Sequence, residues 1–178
     1  GLLLDFVMGQ YDTYTPMQLS QYISTIANRG TRYQPHLLKE VHKVTDDNSL
    51  GEVIYTFEAN ALNKVNTKEE YLNRVREGFH AVTTKSYGLG RNYIDASHDP
   101  SGKTGTSQSF TDSDGDGRID TPTVSTAFIG YAPTDSPKMS LTVTSPNSSL
   151  ENSNINYSSM VTRRISKSVS DAYFAIYP

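Results

Sequence analysis

The stretch Ser101-Gly102-Lys103-Thr104-Gly105-Thr106-Ser107-Gln108 sets one ammonium among hydroxyls and glycines. A fixed cation beside hydroxyls then suits an extended peptide that ends in a carboxylate and lies alongside by main-chain pairing. Gly105 leaves that approach unblocked, having no side chain. Gly-Lys-Thr could also suggest a phosphate loop, but such a loop needs a glycine five positions before Gly102, and Ser97 stands there. For the Lys-Thr-Gly triplet taken alone, the plainer alternative is an edge strand that carries Lys and Thr to stay soluble.

The next segment, TDSDGDGRID, alternates Asp112, Asp114 and Asp116 and then supplies Gly117 and Ile119. Hard carboxylate oxygens at that spacing can converge on calcium. A full calcium loop would close with a bidentate Glu at 123, where this chain has Thr123, so Asp120 is the candidate to complete the set. The competing account is a solvated turn built from good turn formers. His36, His42, His80 and His98 are scattered, and with no cysteine in the chain they make no zinc pattern. His98-Asp99 precedes the Lys-Thr-Gly strand and reads as a surface pair, as does Arg163-Arg164. Asn147-Ser-Ser and Asn156-Tyr-Ser match glycosylation acceptors by sequence alone.

The elements that must carry these residues follow from periodicity and caps. Thr15, Pro16 and Gln18 form a capping box with a proline at the first helical position, predicting a helix over 16–29 stopped by Gly30. Leu19, Tyr22, Ile23 and Ile26 are its apolar stripe. RYQPHLLKEVHKV and GEVIYTFEA, divided by the turn formers TDDNSLG, predict a hairpin outside the main body. A second helix is expected after a capping box of Thr67 and Glu70, burying Tyr71, Leu72, Val75, Phe79 and Val82. Three adjacent antiparallel strands are expected from SGKTGTSQS, TVSTAFIGYAP and KMSLTVTSP, the last two each ended by a proline. A final helix should cross the sheet on Met160, Val161, Ile165, Val169, Ala172 and Tyr173. The fold class is α+β, an antiparallel sheet flanked by helices.

Composition bounds the function. The 178 residues, 35% of them hydrophobic, suffice for one sizeable core and give 1–178 as part of a single domain. A net charge of -3, with its 16 Lys and Arg scattered, offers no basic field for nucleic acid. No apolar run reaches the roughly 18 residues of a membrane span. The opening Leu2, Leu3, Leu4, Phe6 and Val7 read as an apolar run cut from an upstream partner.

The order of motifs resembles the transpeptidase domain of class B, high-molecular-mass penicillin-binding proteins of Gram-positive bacteria. GQYDTYTPMQL is similar to their Gly-Gln loop leading into a T-P-x-Q-L helix, SGKTGTSQ to their third motif, and STAFIGYAP to the following strand. The likeness runs over essentially the whole chain, and it implies the serine penicillin-binding protein and β-lactamase-like fold. It also implies a nucleophilic serine three residues before a lysine, and no lysine of this chain has one. Ser145-Pro146-Asn147 is an S-x-N triplet, but it follows Lys-Thr-Gly and reads as a turn.

The resemblance therefore implies that this chain is the C-terminal portion of the domain and inactive alone, with S-x-x-K, S-x-N and a membrane anchor upstream, on the extracytoplasmic face of the membrane. It implies a peptidoglycan stem peptide as substrate, β-lactams as covalent inhibitors of the whole site, and no required cofactor. Lys103 would add positive charge near the missing S-x-N serine and the substrate carboxylate, Thr104 and Thr106 would hydrogen-bond that carboxylate, and Gly105 and Ser107 would belong to the same substrate-binding strand. The Thr106 N–H would be half of the oxyanion hole. The alternative is a non-catalytic surface domain that binds peptide or calcium.

Overall fold

A computed structural model describes residues 1–7, 9, 12–153 and 157–177, with backbone only at 157–159. Its centre is a three-stranded antiparallel sheet of β5 (Ser101–Thr111), β6 (Thr121–Ala132) and β7 (Met139–Leu150), in that order. The sheet is the predicted one, and it leaves β5 as an edge. Register pairs Lys103 with Ile129, Gly105 with Ala127 and Thr106 with Thr126, then Ala127 with Thr144.

Helices cover both faces, in the α+β arrangement that the patterning implied. On one side α2 (Pro16–Ala27) and α3 (Glu69–Thr84) pack Ile23, Ile26, Ala27 and Phe79 against Ile129 and Tyr131. On the other, Phe128, Ala132 and Leu141 pack with Tyr93 and Ile94, and α4 (Tyr157–Ile176) brings Phe174 to this cluster. Each fully buried side chain such as Ile23 or Phe128, both at 0% exposure, stabilises by about 1.5–3 kcal/mol relative to its exposed state.

Helix α2 forms where its caps dictate. Gln18 N–H donates to Thr15 Oγ1 at 3.2 Å, Thr15 N–H donates to Gln18 Oε1 at 2.8 Å, and Pro16 supplies a preset φ. It ends two residues earlier than expected, at Ala27, because Arg29 (φ 53) is already left-handed ahead of Gly30 (φ 89). Gly30 is also a close approach: a Cβ there would lie 2.9 Å from Leu72 Cδ1 of α3. Tyr22 of the expected stripe is half-exposed, whereas Ile23 and Ile26 are buried.

Two other helix faces differ from expectation. The Thr67–Glu70 box does not form: α3 starts after Lys68, which has no side-chain cap bond. Its buried line is Leu72, Arg76, Phe79 and Thr83, while Tyr71 and Val75 face solvent. Helix α4 is turned by one position, about 100°, from the predicted stripe. Thr162, Ser166 and Ser170 are buried at 0% exposure, and Val161, Ile165 and Val169 point out. Small hydroxyl residues let the helix axis come close to the sheet, and Ser170 Oγ satisfies itself on Lys167 O at 3.0 Å.

Strand β7 also departs from the prediction, because Pro146 does not end it. The ladder shifts register between Val124 and Thr126, and Asn147 (φ 48) donates its N–H to Ser125 Oγ at 3.0 Å while its Oδ1 accepts from Thr123 Oγ1 at 2.7 Å. Ser145-Pro146-Asn147 is thus a bulge inside a strand rather than a turn. The rest is peripheral. A short helix, α1 (Leu2–Val7), leaves its leucines, Phe6 and Val7 exposed. Two ribbons pair β1 (Thr31–Tyr33) with β4 (Ala61–Lys64) and β2 (Glu40–His42) with β3 (Val53–Thr56). The β2–β3 pair is the expected hairpin. Among the described residues no helix is long and apolar enough to cross a membrane.

Candidate active-site wall

The strand that presents Lys-Thr-Gly is fixed at its entry by a network anchored on α3. Thr83 Oγ1 donates to Pro100 O, and His80 Nδ1–H reaches Pro100 O and Thr134 Oγ1, each at 3.1 Å. Thr134 Oγ1 donates to Asp99 O and lies 2.8 Å from Ser101 Oγ, and the buried Arg76 Nη2 donates to Thr134 O. Because a carbonyl can only accept, the His80 proton must sit on Nδ1. Asp99, left-handed at φ 49, turns the chain into β5. His98 stacks on Phe174 at 4.0 Å between ring centres, so His98-Asp99 is structural and does not line the cleft.

From that anchor, Lys103, Thr104, Gly105, Thr106, Ser107 and Gln108 run along one wall of an open cleft of about 930 Å³. Asp5, Asp12, Tyr14, Pro16 and Leu19 line it opposite, with Ser125, Ala127 and Thr144 on its floor. All five predicted strand residues are therefore brought to one cleft. Edge position matters here, since among the described residues only β6 flanks β5, and every second residue directs its backbone N–H and C=O away from the sheet. The Thr104 carbonyl accepts from Lys103 Nζ at 2.6 Å, and Thr106 has the same parity in the ladder. Gly105 is not required by packing: a Cβ there meets nothing nearer than Ala127 Cβ at 3.7 Å. Its missing side chain keeps the cleft wall flat.

Tyr14 and Asp12 were not singled out by the sequence, although they lie in the YDTYTP segment before α2. Tyr14 OH donates to Asp12 Oδ2 at 2.7 Å, and this bond to a carboxylate, reinforced by its charge, raises the phenol above its usual pKa. The cleft thus carries a cation on its strand wall and carboxylates across from it. Gly9 of the Gly-Gln loop lines the cleft, while Gln10 and Tyr11, like Asn156, lie outside the described residues.

The Asp-rich loop connects β5 and β6 beyond the cleft. Asp112, Asp114 and Asp116 each place one carboxylate oxygen within 4.8 Å of the others, but Asp120 is not in that group. Their oxygens also build the turn: Asp112 accepts from Gly115 N at 2.7 Å and Gly117 N at 2.9 Å, and Asp116 accepts from Arg118 N at 2.8 Å. The Gly115 and Gly117 N–H groups hold the Asp112 carboxyl below its usual pKa. Gly115 (φ 79) and Gly117 (φ 87) supply the left-handed positions such a turn needs.

Comparison with known proteins bears on this geometry. The profile of the family described as "Penicillin binding protein transpeptidase domain" matches residues 1–168. Penicillin-binding protein 2A of Bacillus subtilis is 42% identical over 176 residues, covering 99% of this chain and 24% of that protein. Penicillin-binding protein 2B of Streptococcus pneumoniae strain D39 is 34% identical over 173 residues, 96% of this chain and 24% of its own length. The solved structure of that protein from strain R6 superposes with a TM-score of 0.69 at 33% identity over 88% of this chain and 25% of that one. PBPA of Mycobacterium tuberculosis, 19% identical with a TM-score of 0.61 over 89% of this chain and 34% of that one, shares the fold. The chain spans about a quarter of the length of the curated relatives named here. The Gram-positive class B resemblance read from the motifs holds, and with these matches the chain belongs to the penicillin-binding protein transpeptidase family.

Proposed function

We propose that this chain supplies the substrate-binding wall of a peptidoglycan D,D-transpeptidase, whose acylating serine comes from a segment outside residues 1–178. The observation that carries this reading is the convergence of Lys103, Thr104, Gly105, Thr106 and Ser107 on one cleft along an edge strand. The family relationship supplies the reaction, and one relative is named a peptidoglycan D,D-transpeptidase.

In that reaction a serine oxygen attacks the penultimate D-Ala carbonyl of a stem peptide. The C–N bond to the terminal D-Ala breaks, and the released amine takes a proton. An amine of a neighbouring stem then attacks the acyl-serine ester, forms the cross-link and returns the serine hydroxyl. Lys103, freed from its own Thr104 carbonyl, offers its ammonium to the terminal carboxylate, and the hydroxyls of Thr104 and Thr106 add hydrogen bonds. Thr106 shares ladder parity with the outward-accepting Thr104 carbonyl, which suits its N–H to the oxyanion. A β-lactam would enter the same way, its ring C–N bond opening on the serine. No step calls on a cofactor. The site would work on the extracytoplasmic face of the membrane, where its polymer lies.

The 112–120 loop stands beside this chemistry as a brace for the β5–β6 connection. Its three converging carboxylates are of the type that takes calcium, and a calorimetric titration without heat at millimolar calcium would assign it to the turn alone.

Intact-mass spectrometry tests the division of labour. Incubated with benzylpenicillin and denatured, the chain should keep its own mass. A penicilloyl adduct that survives denaturation would place a nucleophile inside the chain and overturn the proposal.

A further inference from the structure

A second groove, of about 390 Å³, runs along the other flank of α2 and is closed by the strand-to-loop segment after β1. Its size lies in the range of small-ligand sites, roughly 300–1,000 Å³. Its walls are Ser20, Gln21, Ser24, Asn28, Gln34 and the ring of Tyr33, with Met17, Pro35 and His36 at the ends. Apart from His36 no lining residue is ionisable near neutral pH, so the groove offers no charge to recognise a carboxylate, a phosphate or an ammonium.

What it offers is a mixture of uncharged donors and acceptors around an aromatic ring. The frame is held by bonds that leave valences open at Gln21 and Gln34, whereas Ser24 Oγ is paired with Ser140 Oγ at 2.8 Å. Gln21 Nε2 donates to Tyr33 O at 3.1 Å, and its carbonyl oxygen is not used in that bond. Gln34 Oε1 accepts from Asn60 Nδ2 at 3.0 Å, keeping the Gln34 amide protons for another partner. His36 Nδ1 donates to Leu38 O, 2.9 Å away, and the ring stacks on Phe57 at 3.8 Å between centres, which fixes the imidazole at the groove's end. Tyr33 is 42% exposed.

Alternating hydroxyl and amide partners beside an exposed aromatic ring match a neutral polyhydroxylated or acetamido-bearing ligand, whose groups both donate and accept and whose C–H faces are apolar. A peptide strand is a poorer match, because β1 already pairs with β4 and the Gln34 N–H donates to Asn60 O. We propose that this groove is a saccharide-binding site for N-acetylated sugar of the cell-wall glycan. It is separate from the Lys103 cleft and shares helix α2 with it. Glycan and peptide of one polymer would then be held on opposite flanks of α2.

The probe is N,N′,N″-triacetylchitotriose, titrated into the 15N-labelled chain and followed by amide chemical shifts. Shifts should move at residues 20, 21, 28, 33, 34 and 36 and stay fixed at 103–108. Tyr33→Ala and Asn28→Ala, both at exposed positions, should weaken binding at least tenfold while the circular dichroism spectrum is unchanged. Ser20→Trp should fill the groove and abolish the shifts even if either of the other variants folds poorly. A D-Ala-D-Ala stem pentapeptide should shift 103–108 and spare the groove. The inference is overturned if chitotriose moves nothing at ten millimolar, if it moves only 103–108, or if the pentapeptide occupies the groove. The two sets of residues report independently, so failure of the sugar site leaves the reading of the Lys103 cleft standing, and the converse.

Discussion

Gly102 and Gly105 sit three positions apart on β5, and the same substitution to alanine should have opposite consequences. At Gly102 a Cβ would lie 2.6 and 2.8 Å from Phe128 Cζ and Cε2 and 2.9 Å from Ile129 O, well inside ordinary contact. Phe128 has nowhere to move. It is 0% exposed, its ring stacks on Tyr93 at 4.4 Å, and Gly130 opposes the same ring with a would-be Cβ only 2.8 Å from Cε1. Overpacking of this kind costs about 1–3 kcal/mol. The reduced entropy of the unfolded chain returns about 0.4–1 kcal/mol, leaving Gly102→Ala destabilised by up to about 2.6 kcal/mol, with a midpoint of about 1.3 kcal/mol. At Gly105 the nearest atom is 3.7 Å away, so only the favourable entropy term remains and stability should hold or rise slightly. Thermal unfolding of the two variants reads the difference. At about 2–4 °C per kcal/mol for a domain of this size, Gly102→Ala should melt several degrees below Gly105→Ala. Equal melting points, or a lower one for Gly105→Ala, would refute the claim that Gly102 serves packing and Gly105 serves access.

Two further outcomes follow from the fold. The Asp95 carboxyl is lowered from 3.8 to about 2, first by the Ser97 N–H, then by the Ser97 hydroxyl and Lys167. A depressed carboxyl stabilises the folded state above its unfolded pKa, and that contribution is lost as pH falls from about 3.8 to about 2. Asp95→Asn should therefore flatten urea-derived stability across that window and leave the slope between pH 5 and 7 unchanged. Among the described residues Ser166 Oγ is buried without a partner. Ser166→Ala should stabilise the chain by up to about 1 kcal/mol, seen as a higher urea midpoint, because an unsatisfied buried hydroxyl disappears.

Where local chemistry decides the structure, the sequence was readable. Thr15, Pro16 and Gln18 cap α2 as expected because the whole motif is contained in four consecutive residues. The three long strands and their order follow from strand-forming segments that are adjacent in sequence. The Lys-Thr-Gly strand was recognisable from its flanking segments, and its residues do share one cleft. Tertiary context hid the rest. The inward face of α4 is Thr162, Ser166 and Ser170, which no hydrophobic count selects, since what the sheet demands there is small volume. Arg76 is likewise buried, because its guanidinium caps the Thr134 carbonyl that closes the β6–β7 turn. Pro146 stays within β7 because a bulge with Asn147 at positive φ absorbs its missing N–H. The cleft's opposite wall, Asp12 and Tyr14, carries no periodic signal at all.

The central claim is that Lys103 and its strand bind the substrate of a serine held elsewhere. It is tested most directly by replacing the matching segment of Bacillus subtilis penicillin-binding protein 2A, 42% identical to this chain, with residues 1–178. The chimera should be acylated by labelled benzylpenicillin, and Lys103→Ala should slow acylation by about 10²–10³-fold, the order expected for loss of one electrostatic contact to the reacting group. A chimera that acylates equally fast with and without Lys103 would contradict the account.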